Sequence, residues 1–260
     1  MDESEVDALA RTLLDAARTR RPIGQLTVGH PDLDAAAAYR VQRAVVAARL
    51  AGGERIVGWK VGLTSRAMQQ QLGVDSPDYG PILSGYLVPD GGTVARDELI
   101  APRVEAEIAF LLGAPLAGPG VTTADVLRAT VGVRPAIEII DSRIADWKLT
   151  LPDTVADLAS SARVVFGGPV TPVDGLDLRL IGAILERNGQ VVGSGAGAAV
   201  LGDPVAAVAW AAETLGALGE RMEPGHVVIP GALHASVPAE RGDAFTATFD
   251  RLGTVSVHFS

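Results

Sequence analysis

The chain has 260 residues, enough for one large domain or two small ones around a substantial core. Its net charge of −9, with basic residues scattered rather than clustered, argues against a nucleic-acid surface. The absence of cysteine excludes disulfides, thiolate catalysis and cysteine-ligated zinc, and no apolar run approaches the ~20 residues of a membrane span.

The first segment, MDESEVDALARTLLDAARTRR, is acidic and then basic, without the apolar centre of a signal peptide, so the expected location is cytoplasmic. Ser4 with Asp7 forms a candidate cap for a helix running to about Thr19, with Leu9, Leu13 and Ala16 or Ala17 as its buried stripe. A loop rich in Gly and Pro follows. Asp32 or Asp34 then starts a second helix that stops at Gly52–Gly53. Beyond Gly53 short alternating runs dominate. Strands are expected over 56–63, 103–112, 135–141, 162–166, 179–188, 226–229, 244–249 and 253–259, and helices near 66–72, 123–131 and 204–219. Asn188–Gly189 suits a type I′ hairpin turn. The pattern is α+β, with an N-terminal helical segment, 1–53, leading into a mostly β body, 54–260, that together form one structural unit.

Three stretches carry candidate chemistry. In RIVGWKVGLTS, Lys60 shares a strand face with Gly58 and Gly62, which leaves room beside its ammonium for a ligand. Thr64 or Ser65 can cap the next helix, whose free N–H groups suit a carboxylate-bearing small molecule. A surface lysine on a glycine-rich edge strand is the alternative. In PRVEAEIAFLLG, residues 102–113, alternation puts Glu105 and Glu107 on one face, about 6–7 Å apart. At an effective dielectric of ~20 two such charges repel by about 2–3 kcal/mol. Taken alone, this strand fits a solvated outer face better than a shared cation. In RPAIEIIDSRIADWK, Glu138 interrupts an apolar run, which is costly unless the carboxylate is paired or metal-bound. Arg103, Arg134 and Arg143 are candidate ion-pair partners. Together, Glu105, Glu107 and Glu138 are three hard oxygen ligands from two strands, suited to Mg²⁺ or Mn²⁺ with positions left for water and a bidentate substrate. No histidine has ligand-type spacing; His234 sits in a Gly/Pro-flanked loop that could reach a pocket, but reads better as a plain surface-loop histidine. GSGAGAAVLG, 193–202, lacks the GxGxxG spacing and reads as a flexible loop.

These motifs, with SPDYG, DTVADLASSARVVFGG and GDAFTATFDRLGTVSVHF in the same order, resemble the 2-keto-4-pentenoate hydratase branch of the fumarylacetoacetate hydrolase superfamily, which also holds the 4-oxalocrotonate decarboxylases. The resemblance runs over nearly the whole chain. It implies a mixed β-sandwich or roll with an N-terminal helical region, a homo-oligomer, and a divalent metal on Glu105, Glu107 and Glu138. It places the family's pocket lysine on Lys60, an aspartate partner on Asp78, and substrate-lining hydroxyls on Ser160 or Ser161. The implied reaction is hydration of 2-hydroxypenta-2,4-dienoate. Its alternatives are decarboxylation of 2-oxo-3-hexenedioate, or a non-catalytic partner in a complex with another catabolic enzyme. One departure is Leu158, where the family reads Asn; on the resemblance, an apolar side chain there suggests an uncharged far end of the pocket.

Overall fold

In the computed structural model, which describes residues 1–65, 69–70 and 73–260, three helical segments open the chain: α1 (Glu3–Thr19), α2 (Leu26–Gly29) and α3 (Ala35–Ala51). Helix α1 starts two residues earlier than Ser4 and Asp7 suggest. Asp2 is its cap, accepting from the Glu5 N–H at 2.9 Å while Glu5 accepts from the Asp2 N–H at 2.8 Å. Asp34 caps α3, and the chain leaves it through Gly52 as expected. The helix expected over 66–72 lies, apart from Gln69 and Gln70, outside the described residues.

The body begins with β1 (Ile56–Gly62), β2 (Asp78–Leu83), β3 (Leu87–Val88), β4 (Gly92–Val94) and β5 (Arg103–Leu112). Next come α4 (Thr123–Ala129), β6 (Thr130–Ile140), α5 (Leu151–Ala156), β7 (Ser161–Phe166), β8 (Gly182–Arg187) and β9 (Gln190–Ala196). Helix α6 (Pro204–Ala217), β10 (Val227–Ile229), β11 (Val237–Pro238), β12 (Ala244–Phe249) and β13 (Gly253–Phe259) complete it. The first sheet has the order β2-β1-β10-β5-β6-β7-β3, with β11 also on β5; the second runs β4-β13-β12-β8-β9. Pairs β1/β10, β3/β7 and β4/β13 are parallel and the others antiparallel, so both sheets are mixed. Asn188 and Gly189 take φ of 55° and 77°, as the type I′ turn between β8 and β9 requires.

Strands β2, β3, β4 and β11 have no counterpart among the expected ones, and β9 occupies part of the expected loop. Strand β2 carries Gly80 and Pro81, which speak against a strand, but it lies at the sheet's edge, where a missing N–H is tolerated. The glycine-rich run at 193–202 is no loop at its start. It forms the end of β9, and the Leu233 carbonyl approaches so closely that a Cβ at Gly195 would lie 1.8 Å from it.

Alternation in β5 explains the layering. Val104, Ala106, Ile108, Phe110 and Leu112 enter the main core with Ile137 and Ile139 of β6, Phe245 and Ala247 of β12, and Val208, Ala211 and Leu215 of α6. Each such Val, Leu, Ile or Phe side chain contributes roughly 1.5–3 kcal/mol on burial. Glu105, Glu107 and Ala109 necessarily face the other way. A second cluster joins α1 and α3 to Leu83, Tyr86, Val155 and Leu158. Here Gln42 of α3 donates to the carbonyls of Tyr79 and Val155, both at 2.9 Å, and Tyr39 stacks on Tyr79 with ring centroids 4.6 Å apart. The N-terminal helices thereby brace the strand that begins with Asp78.

Candidate metal and substrate site

Strand register assembles the site. Glu105 lies directly opposite Glu138, and Lys60 opposite Gly80, with Gly62 opposite Asp78. One carboxylate oxygen from each of Glu105, Glu107 and Glu138 lies within 4.8 Å of the others. Glu107 and Glu138 are buried and Glu105 half-buried, so the solvated-face reading of the pair does not hold. Glu107 Oε1 and both oxygens of Glu138 are buried without a hydrogen-bond partner. Glu107 Oε2 accepts from the Gly231 N–H at 2.7 Å. Orphaned, hard, convergent oxygens fit a divalent cation such as Mg²⁺ or Mn²⁺.

The expected arginine partners of Glu138 are engaged elsewhere. Arg143 pairs with Asp157, Arg134 donates to the Gly167 and Gly168 carbonyls, and Arg103 donates to the Ser236 carbonyl. Instead the Lys60 ammonium stands 3.4 Å from Glu138 Oε2 and donates to the Ala159 carbonyl at 2.9 Å. Lys60 is buried, not a surface lysine. The room beside it is not open either. A Cβ at Gly62 would lie 2.2 Å from Asp78 Oδ1 and 3.2 Å from Lys60 Nζ, and one at Gly58 would strike the Val227 carbonyl at 1.9 Å. The glycines let Asp78 and a neighbouring strand close in. Asp78 is held by Thr154 Oγ1, 3.2 Å from Oδ2, while Oδ1 is buried and unpartnered.

Burial alone would lower the Lys60 pKa, but the surrounding charges of Glu138, Asp78, Glu105 and Glu107 outweigh it and hold the ammonium above the ordinary lysine range. Burial raises Asp78, tempered by Lys60. Burial and then the Glu138 charge push Glu105 up to about 7, against the pull of Lys60 and Arg103. Burial, Glu138 and Glu105 raise Glu107 further. The cluster therefore holds more negative charge than it can support unaided.

Ser160 and Ser161 are buried with unpartnered hydroxyls, Ser160 directly following the carbonyl that Lys60 engages. Thr64 packs against Gly231, where a Cβ would meet its Oγ1 at 2.0 Å. Ser65 is half-buried, its carbonyl accepting from the Gln69 N–H at 3.1 Å. His234 Nδ1 lies 2.8 Å from the Ala235 carbonyl, against Gly193 of β9. Leu158 requires a correction: its side chain packs in the helical cluster, so it is no marker of the pocket's far end. It has φ of 59°, followed by Ala159 at 49° and Ser160 at 59°. Each left-handed non-glycine residue costs roughly 1–2 kcal/mol, and Asn tolerates that region better than Leu. The position is conformational. Sequence reasoning missed Ala159, Gly231 and Thr154; the first two act through the backbone, which no residue type announces.

A family model described as "Fumarylacetoacetate (FAA) hydrolase C-terminal" matches residues 59–260. The chain belongs to the fumarylacetoacetate hydrolase family. Within it, the chain is 42% identical over its whole length to a 2-hydroxyhexa-2,4-dienoate hydratase of Comamonas testosteroni, covering 99% of that protein. It is also 42% identical, again over its whole length, to a 4-oxalocrotonate decarboxylase of Pseudomonas sp. strain CF600, covering 98% of it. Among solved structures, a 4-oxalocrotonate decarboxylase from Pseudomonas putida G7, complexed with magnesium and adipate, superimposes with a TM-score of 0.97 at 41% identity, over 100% of this chain and 99% of that one. The architecture is thus the fumarylacetoacetate hydrolase type with N-terminal helices and mixed sheets. No helix among the described residues is long and apolar enough to cross a membrane.

Proposed function

We propose that this fumarylacetoacetate hydrolase family member is a metal-dependent hydro-lyase of meta-cleavage catabolism of aromatic compounds. It would add water to 2-hydroxypenta-2,4-dienoate, or a close alkyl homologue, to give 4-hydroxy-2-oxopentanoate. The observation that carries this reading is the composition of the sheet face bearing the carboxylates. By strand register, Glu105, Glu107, Glu138 and Lys60 share that face with the buried apolar side chains of Ile82, Ala109, Ala136, Val164 and Ile229, while the two arginines of the face, Arg103 and Arg134, donate to backbone carbonyls. A polar centre bordered by hydrocarbon suits a substrate with one anionic end and one apolar end.

A divalent ion on Glu105, Glu107 and Glu138 would supply Lewis acidity for negative charge gathering on the substrate's C2 oxygen. The chain's own groups handle the protons. Ketonisation removes the C2 hydroxyl proton and delivers one to C5; hydration then puts hydroxide on C4 and a proton on C3. Lys60, kept cationic, donates a hydrogen bond or a proton as the enol collapses. Asp78 orients Lys60, with its unpartnered Oδ1 available to hold a proton in transit. Ser160 and Ser161 offer their free hydroxyls to the substrate, and Thr64, packed against the Gly231 that donates to Glu107, with Ser65 after it, would add hydroxyls for the substrate carboxylate.

One observation favours a second reading, decarboxylation of 2-oxo-3-hexenedioate. Arg103 shares the strand face of Glu105, and its Nε is buried without a partner, a cation placed for a second carboxylate. A paired assay with Mg²⁺ separates the two. Loss of dienol absorbance from 2-hydroxypenta-2,4-dienoate supports the hydratase, whereas CO₂ release from the diacid alone overturns it. Failure to bind Mg²⁺ or Mn²⁺ in calorimetry would instead indicate a non-catalytic partner of another catabolic enzyme. The same reading places the protein in the cytoplasm as a homo-oligomer, which light scattering on the purified chain tests.

A further inference from the structure

The left-handed run Leu158–Ser160 needs something to hold it, since the Leu-Ala-Ser segment has no glycine to ease three consecutive positive φ values. The run is closed internally only by the Ser161 N–H on the Leu158 carbonyl and the Ser160 N–H on the Asp157 carbonyl at 2.9 Å. From outside the run, the Asp141 N–H donates to the Ser160 carbonyl at 2.8 Å and Lys60 Nζ to the Ala159 carbonyl at 2.9 Å, but one side chain spans both of its ends. Arg143 Nε donates to Asp157 Oδ1, Nη2 donates to the Asp157 carbonyl, and Nη1 donates to the Ser161 carbonyl at 3.4 Å. The Arg143 backbone N–H adds a bond to Asp157 Oδ2 at 2.9 Å. A single planar guanidinium therefore grips the residue before the run and the residue after it, in a setting where both Arg143 and Asp157 are buried. Between the two grips stands the Ala159 carbonyl, which accepts from Lys60 Nζ, followed by the hydroxyl-bearing Ser160 and Ser161.

We propose that Arg143 is a positioning residue for the reaction: it clamps Asp157 and Ser161, fixes the left-handed turn between them, and so aims Lys60 and the two serine hydroxyls at the substrate. The proposal rests on the functional reading above for the importance of Lys60, but the clamp itself is a statement about geometry. The Arg143 bonds go to Asp157 and Ser161 and to none of the three metal-site glutamates, so its loss reaches them only through Lys60, 3.4 Å from Glu138 Oε2.

The test replaces the fork while keeping the charge. Arg143→Lys can still meet the Asp157 carboxylate but cannot span both ends of the turn. In the Mg²⁺-loaded full-length enzyme, R143K should lower kcat by about 10–100-fold, the scale expected for a misplaced catalytic group. KM and the calorimetric Mg²⁺ affinity should stay within about threefold of wild type. Adding Ala159→Gly should restore at least about fivefold in kcat, because glycine enters the left-handed region without a Cβ clash. A merely structural arginine would lower thermal stability without this split and without rescue by glycine. The proposal is overturned if folded R143K keeps kcat within twofold of wild type, if Mg²⁺ affinity collapses in parallel, or if glycine rescues nothing. Should R143K not fold, Asp157→Asn, which retains the carbonyl grip and weakens the carboxylate one, is read by the same criteria. If the wild-type chain turns over neither the dienol nor the diacid, the functional reading fails by itself. The clamp is then decided by a crystal structure of R143K, where an intact 158–160 turn with Ala159 still on Lys60 Nζ would sink it.

Discussion

Glu107 shows how a single side chain can be unfavourable for the metal-free fold and still belong to the site. Its carboxylate is buried beside Glu105 and Glu138, with one oxygen on the Gly231 N–H and the other unpartnered. Glu107→Gln can keep the bond from Gly231 while removing a charge that burial and its neighbours oppose. The metal-free variant should therefore melt at or above the wild-type temperature, yet bind Mg²⁺ at least tenfold more weakly and lose turnover by roughly 100-fold or more. Unfolding melts in EDTA, calorimetry and the dienol assay check the three parts; a variant that unfolds readily would show Glu107 to be structural. The glutamates and Lys60 were legible in the sequence because charged residues stood in otherwise apolar or glycine-flanked strands. Leu158 runs the other way: its apolar residue type suggests an uncharged pocket end, while its role is set by a positive φ that the sequence does not display.

Of the strands that carry the carboxylates, β5 announced itself through alternation and spans the expected 103–112, whereas β6, marked by an apolar run over 135–141, begins five residues earlier at Thr130. Strand β2 did not announce itself, although it brings Asp78 to the site, because Gly80 and Pro81 mask an edge strand that pairing with β1 creates. Its second support is helix α3, where the polar Gln42 lies among the buried residues and faces β2. Gln42→Leu preserves size but leaves the carbonyls of Tyr79 and Val155 without their shared donor. The expected cost is about 1–3 kcal/mol, read as a shift in the denaturant midpoint with unchanged slope. Because Tyr79 adjoins Asp78, KM for the dienol should rise as well. A stability loss with fully wild-type kinetics would show that α3 supports the fold without tuning the site.

At the scale of the whole molecule, two mixed sheets and a helical cap surround a centre where four carboxylates face one lysine, so stability is linked to both pH and metal. The folded-state pKa of Glu105, about 7, lies above its ordinary value of 4.5, so between those values the folded state holds more protons than the unfolded one. In metal-free protein this contribution to stability is full below about pH 4.5 and is lost as pH rises through about 7. A divalent ion binds the deprotonated cluster, so its stabilising effect grows in the direction in which the metal-free protein weakens. Thermal melts at pH 5, 6, 7 and 8, in EDTA and in Mg²⁺, should therefore diverge: the upward shift with Mg²⁺ is smallest at pH 5 and largest at pH 8. At a hundredfold excess over Kd the linkage amounts to about 2.7 kcal/mol, roughly 5–10 °C for a chain of this size. Glu105→Gln isolates the source, since it should flatten the metal-free slope between pH 5 and 8 while other titrating groups remain. A Mg²⁺ shift independent of pH, or an unchanged slope in the variant, would show that the charge held by these strands is balanced within the protein rather than by a cation.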